Sequence, residues 1–173
     1  SSSYLISFDG GNLISRRIGN TEGDFTQTDT EGIPFTPKAI IFDEANSRLI
    51  VISEDSGDDI LVIPFNTGTG NFGTPEPING SGGSDEIGGA DFSPDGSFIY
   101  FSRGNQLFRV PSYDLSATPE EIPLTAGLNQ IYDVKTGPDG QLYYIYEEVA
   151  GGPQLIGRVT NPNEPDLSLI TLE

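Results

Sequence analysis

Two short acidic segments carry the side chains most suited to chemistry in this sequence. Both are flanked by Gly and Ser, and Ca²⁺ prefers carboxylate and carbonyl oxygens in such loops. The first segment supplies Glu54, Asp55, Asp58 and Asp59, and the second supplies Asp85 and Glu86. They are therefore candidate ligands for Ca²⁺, although their spacing lacks the frame of an EF-hand loop. The alternative is an acidic surface that faces solvent.

Four further charged residues could line a concave site. They are Lys38, Asp91, Asp133 and Lys135. Asp91 and Lys135 each lie three positions before the proline of a Pro-Asp-Gly turn, so they occupy equivalent places in two repeats. We expect them to meet as an ion pair, and an acid beside a lysine can act as a general acid and base. A purely structural ion pair is the alternative.

The composition excludes the commonest catalytic arrangements. The chain of 173 residues has no His and no Cys, which removes the Ser-His-Asp triad, Cys nucleophiles and thiolate zinc sites. Eight basic residues against 26 acidic ones give a net charge of −18. Nucleic acids and anionic lipids bind basic patches, and no apolar run is long enough to cross a bilayer. We therefore expect no nucleic-acid partner and no membrane insertion.

A repeat runs through the whole chain. Leu13, Leu61, Leu107 and Leu155 each lie in an apolar segment, at spacings of 48, 46 and 48 residues. The second, third and fourth repeats also contain a tight turn between two apolar runs. These features predict four repeats, with approximate boundaries 1–36, 37–80, 81–126 and 127–173 and with the four leucines in equivalent positions.

The turns have a physical basis in their residue types. Pro94-Asp95-Gly96 and Pro138-Asp139-Gly140 are typical tight turns, because Pro presets φ, Asp bonds its own backbone and Gly accepts a positive φ. We expect Asp43–Asn46 to form the same turn with Asn46 in the glycine position, since Asn tolerates the left-handed region.

Four short strands per repeat predict the blade of a β-propeller. The fold class is therefore all-β, with about four antiparallel, four-stranded blades. A β-sandwich is the alternative, but it does not explain a repeated anchor. The first repeat begins with Tyr4–Phe8, which corresponds to a second strand, so its first strand is missing. We therefore expect the chain to be part of a larger ring, with the remaining blades in another segment or another chain.

Two stretches resemble a known family. Phe92–Ser102 is similar to the repeat of lactonase-like and YVTN-type β-propellers, and so is Leu49–Ser53 followed by Asp59–Gly70. The resemblance implies a propeller fold and a family of enzymes, adhesins and surface proteins. It also implies that a lactonase would use His or a metal held by carboxylates and Asn, and this chain has no His.

The sequence favours a binding or scaffolding module of a secreted or cell-surface bacterial protein. Its loop face would recognise a protein, a glycan or a cation, and Ca²⁺ is the one cofactor that the residues suggest. Two alternatives remain open. One is a lactonase-like, metal-dependent hydrolase that uses carboxylates, and the other is a structural spacer in a long surface protein.

Overall fold

The protein is described by a computed structural model that covers residues 3–19, 25–44, 46–54, 60–82, 85–124, 127–160 and 169–171. These residues form sixteen β-strands and no helix. The predicted all-β class is confirmed. No helix long or apolar enough to span a membrane occurs in these ranges.

The strands form four antiparallel sheets in chain order. The first sheet contains β1 (Tyr4–Asp9), β2 (Asn12–Ile18) and β3 (Phe25–Gly32). The second contains β4 (Pro37–Asp43), β5 (Arg48–Ser53), β6 (Ile60–Asn66), β7 (Asn71–Phe72) and β8 (Glu76–Pro77). Within the described residues the first sheet therefore has three strands, the number that the sequence predicted for the first repeat.

The third and fourth sheets each have four strands. The third contains β9 (Ile87–Phe92), β10 (Phe98–Arg103), β11 (Gln106–Pro111) and β12 (Glu120–Ile122). The fourth contains β13 (Gln130–Thr136), β14 (Leu142–Glu147), β15 (Leu155–Val159) and β16 (Leu169–Thr171). In both sheets the strands lie side by side in chain order, which is the meander of a propeller blade.

The sheets pack face to face in succession. One buried cluster joins the first and second sheets and includes Leu13 and Val51. A second joins the second and third sheets around Ile50 and Phe101, and a third joins the third and fourth sheets around Tyr100. Among the described residues, no buried cluster joins the fourth sheet back to the first. The four blades therefore form a partial propeller rather than a closed four-bladed ring.

The four anchor leucines lie in equivalent strands but do not face the same way. They lie in β2, β6, β11 and β15. The last three are the third strands of their sheets, and β2 corresponds to them in the first sheet. Leu13 and Leu61 contribute to the same cluster from opposite sheets, and so do Leu107 and Leu155. The prediction of equivalent positions was therefore wrong in facing direction, because a shift of one residue moves a side chain to the other side of a sheet.

The tight turns adopt the predicted backbone. Gly96 and Gly140 have φ values of 70° and 78°, in the left-handed region that their turns require. The corresponding turn of the second sheet differs from the prediction, because its positive φ of 51° belongs to Ser47. Asn46 instead donates its side-chain N–H to the Asp43 carboxylate at 2.8 Å.

Candidate functional site: the mouth of the inner strands

The inner strands β4, β9 and β13 each contain an irregularity near the end where the chain enters the sheet. In β4, Lys38 is the extra residue between the pairs Pro37–Ser53 and Ala39–Ile52. In β13, Tyr132 is the extra residue between the pairs of Ile131 and Asp133. Such bulges redirect a side chain and are common beside functional sites. They therefore point Lys38 and Tyr132 away from the regular alternation of their strands.

A buried carboxylate lies beside Tyr132. Glu147 ends β14 and is 6% exposed. Its carboxylate accepts a hydrogen bond from Nδ2 of Asn129 at 2.6 Å, and its backbone carbonyl accepts one from the Asn129 N–H at 2.9 Å. Buried acids are rare unless they have partners of this kind, so Asn129 fixes the position of this carboxylate.

The phenol of Tyr132 interacts with the Glu147 carboxylate. Its hydrogen bond to Glu147 raises the pKa of Tyr132, and partial desolvation and the charges of Glu147 and Glu86 raise it further. A tyrosine with a raised pKa stays protonated at neutral pH and so remains a hydrogen-bond donor. The third sheet's entry loop lies beside β13, because the Ile131 N–H donates to the carbonyl of Gly104 at 2.9 Å and the Gly104 N–H donates to the carbonyl of Glu86 at 3.0 Å.

Lys38 completes the cluster from the second sheet. Its Nζ donates to Oε1 of Glu86 at 2.8 Å and to the carbonyl of Ile87 at 3.1 Å. The Lys38 and Glu86 side chains are 31% and 49% exposed, so solvent and ligands can reach both. We define the mouth as Lys38, Glu86, Asn129, Tyr132 and Glu147. It combines two carboxylates, one ammonium group, one amide and one phenol from three sheets.

The other predicted inner-strand residues have different partners from those expected. Lys135 lies 3.8 Å from the carboxylate of Asp133 and donates to the carbonyl of Ala90 at 3.2 Å. Asp91 accepts the backbone N–H of Thr136 at 2.9 Å. The expected Asp91–Lys135 ion pair is not formed, because the neighbouring carboxylate on β13 takes the lysine and a backbone amide takes the aspartate.

Gly88 and Gly89 allow the third and fourth sheets to pack closely. A Cβ on Gly88 would lie 2.0 Å from the carbonyl oxygen of Ile131, and one on Gly89 would lie 2.3 Å from the Asp133 carboxylate. Their missing side chains let β9 approach the backbone of β13 directly. This close approach helps to hold Tyr132 next to the loop that carries Glu86.

The structure covers part of the predicted Ca²⁺ site. Glu54, Asp85 and Glu86 are exposed, and the Glu54 N–H donates to the carbonyl of Thr36 at 2.8 Å. Asp55, Asp58 and Asp59 lie outside the described residues. Within the described ranges, no group of three or more His, Cys, Asp or Glu side chains is arranged to hold a metal ion. The Ca²⁺ site therefore stays a prediction.

Sequence reasoning identified Lys38 and Glu86 but missed Asn129 and Glu147. Asn129 and Glu147 are 18 residues apart and belong to no recognisable motif. One sequence signal could have indicated Glu147, which is an acid at the end of a predicted strand. Polar residues at the ends of neighbouring strands lie close together in a propeller. That signal is weak because the chain contains 26 Asp and Glu residues, and many of them lie at the surface.

The fold is shared with solved structures of low sequence identity. A Lactobacillus plantarum protein matches with a TM-score of 0.69 and 15% identity over 99% of this chain and 53% of its own. A Bacteroides uniformis protein assigned as a 6-phosphogluconolactonase matches with a TM-score of 0.66 and 16% identity, over 97% and 52%. The Pseudomonas aeruginosa periplasmic gluconolactonase matches at 0.65 and 13%, over 92% and 48%.

These similarities show the fold alone, and the chain spans about half the length of each of these proteins. No protein-family model matches the sequence, and comparison with curated proteins finds no match. The partial propeller is therefore similar to lactonase-type proteins in backbone structure. Its chemistry has to be argued from its own residues.

Proposed function

We propose that the chain is the ligand-binding part of a larger propeller and that the mouth binds a polyhydroxylated, sugar-like molecule. The observation that carries the proposal is the convergence of Lys38, Glu86, Tyr132 and Glu147 from three sheets. Carboxylates accept hydrogen bonds from hydroxyl groups, whereas the ammonium and phenol groups donate them. A site with both kinds of group suits a ligand whose hydroxyls do both.

The exposed part of the mouth can meet a ligand without unfolding the site. Lys38 and Glu86 are partly exposed, and the Tyr132 side chain is half-buried. Glu147 is held from behind by Asn129, so it is oriented before the ligand arrives. Preorganised polar groups lose less side-chain entropy on binding. Of the ligands expected from the sequence, these polar groups support a glycan, and they also suit a sugar acid.

Hydrolysis of a lactone is the second candidate, and the similarity to two lactonase-type structures favours it. In that reaction a carboxylate of the mouth would take a proton from water as its oxygen attacks the lactone carbonyl. The ring C–O bond then breaks, and the proton passes to the ring oxygen. Lys38 would stabilise the oxyanion.

The location proposed for both candidates is outside the cytoplasm, at the cell surface or in an extracellular space.

Titration calorimetry with glucose and with gluconate tests the binding proposal. We expect heat of binding from the unmodified chain and at least a tenfold weaker affinity in Glu147→Gln and in Tyr132→Leu. Glu121→Gln is the matched control, because Glu121 is an exposed acid on β12 away from the mouth. No binding by the unmodified chain, or equal binding by all variants, would overturn the proposal.

The same variants separate binding from hydrolysis. With glucono-1,5-lactone in a pH-stat, a lactonase would release acid above the spontaneous rate, and Glu147→Gln or Glu86→Gln would abolish the excess. A binding module would leave the rate at the spontaneous value while still binding gluconate.

A further inference from the structure

Three consecutive residues join the two loops that carry polar groups to the mouth. Arg103 ends β10, and Gly104 and Asn105 form the turn that leads into β11. We call these three residues the linking turn. On one side of it lies the entry loop of the third sheet, residues 78–86, which ends at Glu86. On the other side lies the entry loop of the fourth sheet, residues 123–129, which ends at Asn129.

The side chain of Arg103 holds the entry loop of the third sheet. Its Nη1 donates hydrogen bonds to the carbonyls of Gly80 at 2.6 Å and Gly82 at 3.2 Å. Its guanidinium carbon lies 4.9 Å from the centre of the Phe108 ring on β11, which is close enough for a cation–π attraction. The planar guanidinium group is therefore fixed by an aromatic ring and by two loop carbonyls, and a lysine ammonium would not reproduce both contacts.

The backbone of Gly104 bonds to both sides of the mouth. Its N–H donates to the carbonyl of Glu86 at 3.0 Å, and its carbonyl accepts the N–H of Ile131 at 2.9 Å. Glu86 belongs to the mouth, and Ile131 directly precedes Tyr132 on β13. The φ of Gly104 is 58°, in the left-handed region that favours glycine. One residue therefore sets the backbone of Glu86 relative to that of Tyr132.

The side chain of Asn105 holds the entry loop of the fourth sheet. Its Nδ2 donates to the carbonyl of Leu128 at 2.9 Å, and the Leu128 side chain is buried. The next residue, Asn129, donates through its own side chain to the carboxylate of Glu147 at 2.6 Å. A continuous series of hydrogen bonds and chain neighbours thus leads from the linking turn to the buried acid of the mouth.

We propose that Arg103 and Asn105 are positioning residues of the mouth. They act on Glu86 and Glu147 through the two entry loops, without contact to the ligand, and so set the separation of the two acids. This inference rests on the function proposed above. Without these side chains, the loops would have to become ordered when the ligand binds. That entropy cost would be observed as a loss of affinity.

Titration calorimetry with glucose and with gluconate, below the Tm of each variant, separates positioning from stability. Arg103→Ala and Asn105→Ala should each bind about tenfold more weakly than the unmodified chain, because the loops lose their order before binding. Arg103→Lys keeps the charge and can still donate to a carbonyl, so it should recover part of the affinity. A side chain that only stabilises the fold would lower Tm and leave the affinity of the folded protein unchanged.

Arg109→Ala is the matched control for Arg103→Ala. Arg109 also lies in the third sheet, with its guanidinium carbon 5.2 Å from the centre of the Phe98 ring, and it pairs with Glu120 at 2.8 Å. This pair joins β11 to β12, outside the mouth. The control removes the same charge and should lower Tm without weakening sugar binding. An equal loss of affinity in Arg109→Ala and Arg103→Ala would overturn the proposal, and so would unchanged affinity in Arg103→Ala and Asn105→Ala.

A distance measurement without ligand keeps this test separate from that of the proposed function. The chain has no Cys, so Asp85→Cys and Gly127→Cys, both at exposed positions, can carry one spin label on each entry loop. Electron–electron double resonance should give a narrow distance distribution in the labelled chain. The distribution should broaden after Arg103→Ala or Asn105→Ala, and it should stay narrow after Arg109→Ala.

An unchanged distribution in Arg103→Ala and Asn105→Ala would overturn the positioning role whether or not a sugar binds. If the unmodified chain binds neither sugar while the distribution broadens, the proposed ligand is rejected and the positioning of the two loops stands. The failure of one proposal is therefore distinguishable from the failure of the other.

Discussion

The carboxylate of Asp91 accepts a hydrogen bond at 2.9 Å from the backbone N–H of Thr136, which lies 45 residues further along the chain. This bond joins the inner strands of the third and fourth sheets. The same carboxylate also accepts the N–H of Phe92 at 2.9 Å. Asp91 is therefore a structural link between blades, which it makes through backbone amides rather than through the expected ion pair with Lys135.

Removing this carboxylate should destabilise the contact between the two blades. Asp91→Ala is expected to lower the free energy of unfolding by about 1–3 kcal/mol, because a backbone donor loses its acceptor. Asp91→Asn should lose less, since its amide oxygen still accepts. Urea unfolding followed by tyrosine fluorescence measures both. An Asp91→Ala variant as stable as the unmodified chain would contradict the role of this bond.

A methyl group at Gly88 should be costly. Its Cβ would lie 2.0 Å from the carbonyl oxygen of Ile131, so Gly88→Ala must push β9 away from β13, at a cost of about 1–3 kcal/mol or more. Gly127→Ala is the control, because nothing lies within 4 Å of its Cβ. Thermal unfolding should show a lower Tm for the first variant alone. Equal Tm values would show that the two strands have room to separate.

Gly140 should resist replacement for a different reason. Its Cβ has ordinary space, 3.8 Å from the ring of Pro94, but its φ is +78°. Gly140→Val places a β-branched residue in the left-handed region, which costs about 1–3 kcal/mol. Gly140→Asn should be milder because Asn tolerates this region. If chemical denaturation shows that the Gly140→Val variant is at least as stable as the Gly140→Asn variant, backbone strain is not the cause.

Acid should remove one local source of stability. Hydrogen bonds from the hydroxyls of Ser93 and Ser97 lower the pKa of Asp95 from 3.8 to about 2. Because the folded pKa lies below the unfolded one, the stabilisation is complete above pH 4 and is lost as the pH falls from about 4 to about 2.

The titration of the Asp95 carboxyl by NMR measures this effect directly. Ser93→Ala should bring the pKa of Asp95 closer to 3.8, since it removes the largest hydrogen-bond contribution. The stability difference between the unmodified chain and Asp95→Asn should shrink below pH 4. An Asp95 pKa near 3.8 in the unmodified chain would contradict the hydrogen-bonded turn.

The acidic segment of the second repeat should respond to cations. Glu54, Asp55, Asp58 and Asp59 place four negative charges within six positions, and their repulsion should weaken as salt screens it. We expect both NaCl and millimolar Ca²⁺ to raise Tm. With a specific site, Ca²⁺ acts at lower ionic strength than NaCl, and Asp58→Asn with Asp59→Asn removes that difference. If NaCl and Ca²⁺ raise Tm equally at matched ionic strength, the segment is an acidic loop that faces solvent and has no specific Ca²⁺ site.

Local residue chemistry determined the strands and turns of this protein. Alternating apolar side chains and the Pro-Asp-Gly turns place β10 and β14 within a residue or two of their observed positions. The same pattern predicted the first two strands of the first sheet, because Tyr4–Phe8 is followed at once by a glycine turn and a second apolar run. These features depend on neighbours in the sequence, so the sequence alone is sufficient to predict them.

Tertiary structure decided which side chains meet. Six residues, 93–98, separate the pair Phe92–Ile99, whereas five residues, 137–141, separate the pair Thr136–Leu142. This difference of one residue reverses the facing of the following strands, so Leu155 faces the third sheet while Leu107 faces the fourth. Two similar turn sequences cannot predict it, because the hairpin register is set by packing on both faces of the sheet.

The mouth depends on the same kind of information. Lys38 and Tyr132 reach it through irregularities in β4 and β13, and Glu147 is held there by an asparagine on another loop. Composition alone determined that the site would contain no His and no Cys. Which acids converge was decided by contacts between blades, because residues far apart in sequence become neighbours only when the sheets pack.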